Sequence, residues 1–259
     1  MHASIRNAKL DSFVYIPPDA AFGAARILIK PNLGYPQAPP VTISMDVLEK
    51  VLRGIRRVNP HARIVITEGV AADVDALENF KQLGLLDIID EETRVADAES
   101  LLMAEYPNTS PNPVKYQSMT APGYIGQYDC CIIVSTFKRT VRDGEPFVSA
   151  SVNNLVGLLP REVYHGHNPL YRAALHEPNL GDVLKDVYYS IGHLFHGAVI
   201  DLTHKLVSPD EKTTHGESIP VGQVVWGDNL IAVDEAACRI AGEPLPRYLK
   251  ELKHGSRQK

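Results

Sequence analysis

Short continuous apolar runs alternate with helical spacings along the first part of the chain. Residues 27–29 form one run, and from Ser44 onwards apolar residues recur every three or four positions, as in an amphipathic helix. A second run, residues 64–66, is followed by Asp75 and Glu78 at the spacing of a helix capping box. Continuous apolar runs are typical of strands that are covered on both faces. The pattern therefore predicts two consecutive β-loop-α units with parallel strands.

The rest of the chain is less regular. Residues 105–124 are rich in proline, serine and threonine, which predicts a loop or edge-strand region and not a central strand. Residues 130–134 form a strong apolar run that predicts another buried strand, ending at Lys138. The other predicted elements are a helix near 149–158, a helix over 180–194, a strand over 198–200 that ends at Asp201, and a final strand, turn and helix closed by Gly242.

This order of elements predicts an α/β fold with a predominantly parallel sheet and helices on both faces. The chain has 259 residues, of which 44% are hydrophobic, which is enough for one sizeable core. We therefore expect a single compact domain over residues 1–259. The alternative is that about residues 140–195 of this domain form a smaller lobe.

Charge and hydropathy limit the partners that we expect. The net charge is −5, and the basic residues are scattered without a stripe, so nucleic acid is not an expected partner. No segment reaches the roughly 18 apolar residues that span a bilayer, and the N-terminus does not resemble a signal peptide. We expect a cytoplasmic protein without membrane attachment. A homo-oligomer is left open.

Cysteine and histidine spacings argue against a metal centre. The cysteines are Cys130, Cys131 and Cys238. They offer no CxxC spacing, so no iron–sulfur cluster is expected, and buried apolar roles are favoured. Two histidine pairs have spacings that could ligate a metal, and they are His165 with His167 and His193 with His196. Without an HExxH motif, surface or hydrogen-bonded histidines are the favoured interpretation, and no metal site is predicted. The cofactor is left unidentified.

Polar residues follow the apolar runs at the point where each predicted strand ends. They are Lys30 and Asn32, Thr67 and Glu68, Ser135 and Lys138, and Asp201. In an open parallel sheet, ligands bind beyond the carboxyl ends of the strands. A lysine at such an end suits the binding of a phosphate or carboxylate, and burial can lower its pKa towards use as a base. We therefore expect these side chains to share one pocket at one edge of the sheet.

Several ordered segments resemble the DUF362 family of uncharacterised proteins. The segments are "ILIKPNL", "IVITEG", "STFK", "SVNNLVGLLPREVYH", "AVIDLT" and "GDNLIAVDEAACRIAG", and they span roughly residues 26 to 243. The resemblance implies a fold and a site more than a reaction. The site residues that it implies are Lys30, Pro31, Asn32, Lys138, Asn154, Gly157, His165, Asp201 and Asp234.

The sequence also departs from the pattern of that family. Lys138 is followed by Arg139 and Thr140, where family members commonly have a lysine-x-histidine pair, and Asn153 replaces a usual lysine. Many members carry ferredoxin-like cysteine clusters, and this chain has none. Redox work would therefore need an external cofactor or a separate partner.

Together, these observations predict an enzyme that acts on a small anionic metabolite. Lys30, Lys138 and Arg139 would bind the anion, and Asn32 and Asn154 would orient it. Glu68, His165 or Asp201 would transfer protons, and Asp234 is a further candidate for substrate binding.

Two alternatives stay open at this point. One is a reductase or electron-transfer component that uses an external cofactor, and the other is a non-enzymatic ligand-binding or assembly protein. Pro31 stiffens the strand end that presents Lys30. If Lys30 binds the charge of the substrate, we expect Lys30→Met to keep the fold, because the new side chain stays apolar and similar in length.

Overall fold

The computed structural model describes residues 4–71, 74–168 and 170–256. Its strands are β1 Ile5–Ala8, β2 Arg26–Pro31, β3 Arg63–Glu68, β4 Thr93–Asp97, β5 Met103–Pro107, β6 Ser118–Pro122, β7 Cys130–Arg142, β8 Glu145–Ser149, β9 Gly197–Val207 and β10 Glu217–Gly227. Its helices are α1 Met45–Val58, α2 Ala76–Gln82, α3 Ser151–Asn154, α4 Arg161–Tyr164, α5 Leu180–Ser190, α6 Leu230–Ala241 and α7 Arg247–Ser256.

Eight strands form one mixed sheet with a mostly parallel centre. The order is β1-β10-β9-β7-β2-β3-β4, and β8 pairs with β7 outside this path. The contiguous strands β9, β7, β2, β3 and β4 are parallel, whereas β1, β8 and β10 pair antiparallel. Strands β5 and β6 form a separate two-stranded sheet. The predicted α/β class is confirmed, and so is the exclusion of residues 105–124 from the central strands.

The two predicted β-loop-α units form because their local signals agree. The Ser44 side chain accepts a hydrogen bond from the Val47 N–H and caps α1, and Asp75 caps α2 through the Glu78 N–H. The apolar stripe of α1 is buried against the sheet. At the other end of the chain, Gly242 ends α6 at φ 68°, a left-handed conformation that glycine adopts without strain.

Two predicted strand ends were wrong. Strand β7 does not end at Lys138 but continues to Arg142, and β9 runs past Asp201 to Val207. Asp143 and Gly144 have φ values of 51° and 77° and turn β7 back into β8. A two-residue Asp-Gly connection of this kind is a strong hairpin signal, which the sequence analysis overlooked.

Two predicted helices are shorter than expected. The helix expected near 149–158 is α3, followed by a 3₁₀ turn over Leu155–Leu158. The helix expected over 180–194 is α5, which ends at Ser190, with a 3₁₀ turn over Gly192–Leu194. Most apolar residues of both predicted spans are buried, and others, such as Val156 and Leu194, are partly buried against the same core.

Helices cover both faces of the sheet. One core packs α1 and α2 against residues such as Ile27 and Ile29 of β2. The other core packs α3, α5, α6 and α7 against the opposite face, where Leu28 lies. Successive residues of β2 thus enter different cores, as the twofold period of a strand requires. No helix in the described part of the chain is long and apolar enough to cross a bilayer. A smaller lobe over about 140–195 stays a prediction.

The strand order creates a topological switch point between β2 and β7. From β2 the chain runs outwards through α1, β3 and α2 to β4, and it then returns to β7 on the other side of β2. In open α/β sheets the connections on the two sides of such a point diverge, and ligands bind in the crevice that forms at the carboxyl edge. Lys30 lies at the end of β2, beside this point.

Candidate functional site

A fully buried ion pair lies at the carboxyl ends of β2 and β3. The Lys30 Nζ is 2.6 Å from Glu68 Oε1, and the two side chains are 0% and 3% exposed. The Lys30 ammonium also donates to the Pro31 carbonyl at 3.0 Å and to Asn154 Oδ1 at 2.9 Å. An ammonium has three protons, so Lys30 has an acceptor for each of them. The pair is therefore held in one place by hydrogen bonds from three elements.

Backbone groups hold the Glu68 carboxylate. Its Oε1 accepts from the Gly69 N–H at 2.9 Å, and its Oε2 accepts from the Leu33 N–H at 3.0 Å. Burial lowers the pKa of Lys30, and the Glu68 carboxylate opposes this effect. Glu68 thus connects the loop after β2 to the end of β3 and supplies the negative charge that Lys30 needs.

Lys138 is a second buried lysine in this region, and it has a different environment. It is 2% exposed, and within the described residues its ammonium makes no hydrogen bond or ion pair. Its Nζ lies 6.0 Å from the centre of the Tyr35 ring. Burial lowers the pKa of Lys138 to about 7, Lys30 adds to this effect, and Glu68 opposes it. Lys138 is therefore the lysine of this site that is available to a ligand.

Two glycines allow the segment after α3 to approach the ion pair. A Cβ at Gly157 would overlap the Glu68 carboxylate and would lie 2.8 Å from the Lys30 Nζ. A Cβ at Gly69 would overlap the Gly157 carbonyl. Real side chains do not tolerate such distances, so the close approach of these two backbones requires glycine at both positions.

Two arginines that the sequence analysis missed tie a further segment to this edge. Arg172 pairs with Glu99 Oε1 at 2.7 Å and donates to the Gly157 and Leu159 carbonyls. Arg161 pairs with Glu99 Oε2 at 2.9 Å and donates to the Val70 carbonyl.

Tyr35 is a third group that was missed. Burial raises its pKa, and a hydrogen bond with Thr213 opposes this effect. Tyr35, Arg161 and Arg172 have no local sequence signal, because their partial burial depends on tertiary packing.

Asn32 and Asp201 lie along the same carboxyl edge, beside β7. The Asn32 Nδ2 donates to Thr136 Oγ1 at 3.1 Å, and Thr136 pairs in register with Asp201. The Asp201 carboxylate accepts from the Ser44 N–H at 3.2 Å and from the Thr203 hydroxyl at 2.6 Å. Both residues are thus positioned next to the start of α1, and the carboxylate of Asp201 is already hydrogen-bonded.

A family model described as a domain of unknown function, DUF362, matches residues 27–239. The chain belongs to the DUF362 family. This confirms the resemblance found in the six sequence segments, which cover nearly the same range.

Solved structures share the fold of this DUF362 chain at low sequence identity. A lactate racemase apoprotein from Thermoanaerobacterium thermosaccharolyticum is 16% identical with a TM-score of 0.52, over 85% of this chain and 50% of that chain. A protein from Thermotoga maritima is 10% identical with a TM-score of 0.43, over 90% of this chain and 56% of that chain. The DUF362 chain therefore spans about half the length of these proteins. The likeness to the first structure shows a common fold. Comparison with curated protein sequences gives no match.

Three of the predicted site residues of this DUF362 protein make contacts with groups other than the Lys30–Glu68 pair. His165 is exposed, and its Nδ1 lies 2.8 Å from the Gly166 carbonyl oxygen. Arg139 lies 3.8 Å from the Glu243 carboxylate. The structure shows no hydrogen bond or ion pair between either residue and the Lys30–Glu68 pair.

The third is Asp234, which is fully buried in α6. Its carboxylate accepts from the Ser151 N–H at 2.9 Å, the Ser151 hydroxyl and the Val152 N–H at 3.0 Å. Asp234 thus caps α3 from inside the core. His165, Arg139 and Asp234 were predicted as further site residues, and the structure shows their contacts with other groups. Their roles in the site stay predictions.

The DUF362 chain shows no metal-binding cluster of three or more histidine, cysteine, aspartate or glutamate side chains within the described residues. His196 accepts a hydrogen bond from the Cys131 N–H at 3.1 Å, as the hydrogen-bonded interpretation expects. The three cysteines are free and buried. Burial raises the pKa of Cys130 to about 12, so its thiol is protonated at neutral pH.

Proposed function

We propose that this DUF362 protein is an enzyme that binds a small carboxylate or other anionic metabolite at the carboxyl edge of its sheet. In this proposal Lys138 is the group that contacts the ligand and transfers a proton. The observation that carries the proposal is a buried lysine near the switch point whose ammonium has no paired carboxylate among the described residues.

The pKa of Lys138 supports a role in proton transfer. At a pKa of about 7, both the ammonium and the free amine are populated at neutral pH. A general acid or base is most effective when its pKa lies near the working pH. An unpaired charge in the protein interior is costly. If the side chain at position 138 only filled space, an apolar residue there would stabilise the fold more than lysine does. An anionic ligand would supply the missing partner.

The other residues of the site would have positioning roles. Lys30 and Glu68 use their donors and acceptors on each other and on the backbone, so they would hold the crevice in shape and set the electrostatic field at Lys138. Asn32 and Tyr35 would provide hydrogen bonds to the ligand. This differs from the expectation that Lys30 itself binds the anion, since each of its protons already has an acceptor.

The name of one structure with this fold suggests the first probe. It is a lactate racemase apoprotein, and we infer that a 2-hydroxy or 2-oxo acid is a suitable class of ligand to test first. Such acids combine one carboxylate with an adjacent group that can exchange a proton. An electron-transfer role has no specific support among the described residues.

The test is binding of L-lactate and pyruvate, measured by calorimetry at pH 6 and pH 8.5. Because the ammonium form of Lys138 attracts the carboxylate, the affinity should fall as the pH rises through about 7. Lys138→Met should abolish binding, whereas Lys81→Met, at an exposed position of α2, should not change it. If neither probe binds, or if Lys138→Met binds normally, the proposed site is wrong.

A second measurement separates an enzyme from a binding protein. In heavy water, an enzyme that uses Lys138 as a base should exchange the protons of pyruvate, which are seen in the proton NMR spectrum. The exchange should disappear in Lys138→Met. Binding without any exchange would favour the non-enzymatic ligand-binding protein.

A further inference from the structure

A cavity of about 420 Å³ lies at the opposite, amino edge of the sheet. Its lining includes the side chains of Arg26, Arg63, Arg94, Glu91, Glu92 and Tyr128. These residues lie at the starts of β2, β3, β4 and β7 or just before them. The cavity is therefore separate from the Lys138 site, which lies at the other end of the same strands.

Strand register brings the three arginines together on one face. Arg26 pairs with Arg63, and Arg94 pairs with Val65, two residues further along β3 than Arg63. Because side chains alternate along a strand, Arg63 and Val65 share a face, and the register gives Arg94 the same face. Arg26 shares a face with Leu28, which belongs with Val65 to the same core. Three arginines thus lie on one face of three adjacent strands and line the same cavity.

The three arginines form no ion pair in the described part of the chain, although the Asp129 carboxylate accepts a hydrogen bond from the Arg26 backbone N–H. Within the described residues none of the three guanidinium groups has a carboxylate within 4.0 Å, although Glu91 and Glu92 line the same cavity. The Arg94 side chain donates a hydrogen bond to the Glu91 carbonyl at 3.2 Å. Like charges on directly paired residues destabilise a sheet. By contrast, Arg56, on the neighbouring helix, is paired with Asp90.

The chemistry of the lining points to a class of ligand. Planar guanidinium groups bind phosphate through paired hydrogen bonds. The ring of Tyr128 forms an apolar wall, and the two glutamates can accept hydrogen bonds from ligand hydroxyl groups. We propose that this cavity binds a small phosphate ester, with the phosphate between the arginines and the uncharged part of the ligand against Tyr128.

The test is calorimetric titration of the whole protein with AMP and with glucose 6-phosphate in 50 mM salt. Adenosine and glucose are the matched ligands that lack phosphate. At least one phosphate ester should bind, and its parent should bind at least tenfold more weakly. Arg63→Gln and Arg94→Gln, both at exposed positions, should each weaken binding about fivefold or more, because each removes a charged hydrogen-bonding group.

Two further variants make the result specific. Arg53→Gln removes an exposed arginine of α1 outside the cavity and should not change the affinity. Glu92→Gln removes a negative charge from the lining and should strengthen binding, which a variant that merely misfolds would not do. The proposal is overturned if neither ester binds, if the parents bind equally well, or if Arg53→Gln weakens binding as much as Arg63→Gln does.

Discussion

The Lys30 ammonium lies 2.6 Å from the Glu68 carboxylate in a place that is closed to solvent. A charge pair of this kind is weak evidence for stability, because the loss of hydration offsets most of the attraction. Removing only one partner strongly destabilises the protein, since the remaining charge stays buried without a counter-charge. The pair therefore makes each residue dependent on the other.

Lys30→Met should lower the free energy of unfolding by about 3–5 kcal/mol, because Glu68 loses its counter-charge. This differs from the expectation from the sequence that the substitution keeps the fold. Urea denaturation at pH 7 measures the effect. The double variant Lys30→Met with Glu68→Gln should recover part of the loss. A cost below about 1 kcal/mol for the single variant would show that the pair is not buried as described.

Lys138→Met should change how stability depends on pH. In the folded protein the pKa of Lys138 is about 7, whereas a lysine in the unfolded chain titrates near pH 10.4. Between these values the unfolded chain binds more protons, so the native protein becomes more stable as the pH rises. The substitution removes this contribution.

The gain in stability from Lys138→Met should therefore be larger at pH 6 than at pH 10.5, by on the order of 4 kcal/mol. Melting curves across this pH range test the expectation, with exposed Lys81→Met as the control. Equal effects of Lys138→Met at both pH values would mean that Lys138 is solvated.

Gly157→Ala should destabilise the protein by about 1–3 kcal/mol, because the new methyl group would overlap the Glu68 carboxylate. It should also weaken probe binding at Lys138, since the ion pair must shift. Gly23→Ala is the matched control, because a Cβ at Gly23 has no atom within 4 Å. Thermal melts and calorimetry provide both readouts, and equal melting temperatures for the two variants would contradict the close packing at Gly157.

Glu99→Gln should lower the free energy of unfolding by about 2–4 kcal/mol, since Arg161 and Arg172 would both lose their carboxylate. Hydrogen exchange of the Leu175 amide, which donates to the Arg172 carbonyl, should become faster. Glu49→Gln breaks an exposed pair with Arg53 and should cost less than about 0.5 kcal/mol. If the two variants behave alike, Glu99 does not hold this segment.

The fold could be predicted where local and tertiary preferences agree. The run at 27–29 and the stripe of α1 identify their elements because each signal lies within a few residues along the chain. The antiparallel direction of β10 could not be derived in this way, since it depends on its long-range pairing with β9 and β1.

The candidate site was predictable to a similar degree. Lys30, Glu68 and Lys138 were found because they follow apolar runs, and strand order then brings them to one region. Arg172 and Tyr35 were not found, since nothing near them in the sequence indicates that tertiary packing partly buries them. Asp234 was assigned to the site, but its carboxylate is used by α3, a partner 83 residues away in the chain.

The hydrogen bond between Lys30 and Asn154 joins residues 124 positions apart. During synthesis from the N-terminus, β2 and β3 can therefore pair well before the last acceptor of Lys30 has left the ribosome. Until then water must hydrate the Lys30 ammonium, because the packing that buries it is incomplete. Closing a loop of this length costs entropy that only the completed packing repays. The crevice should thus be among the last parts of the chain to reach its native form, and a fragment that stops before Asn154 should leave Lys30 accessible to amine-reactive reagents.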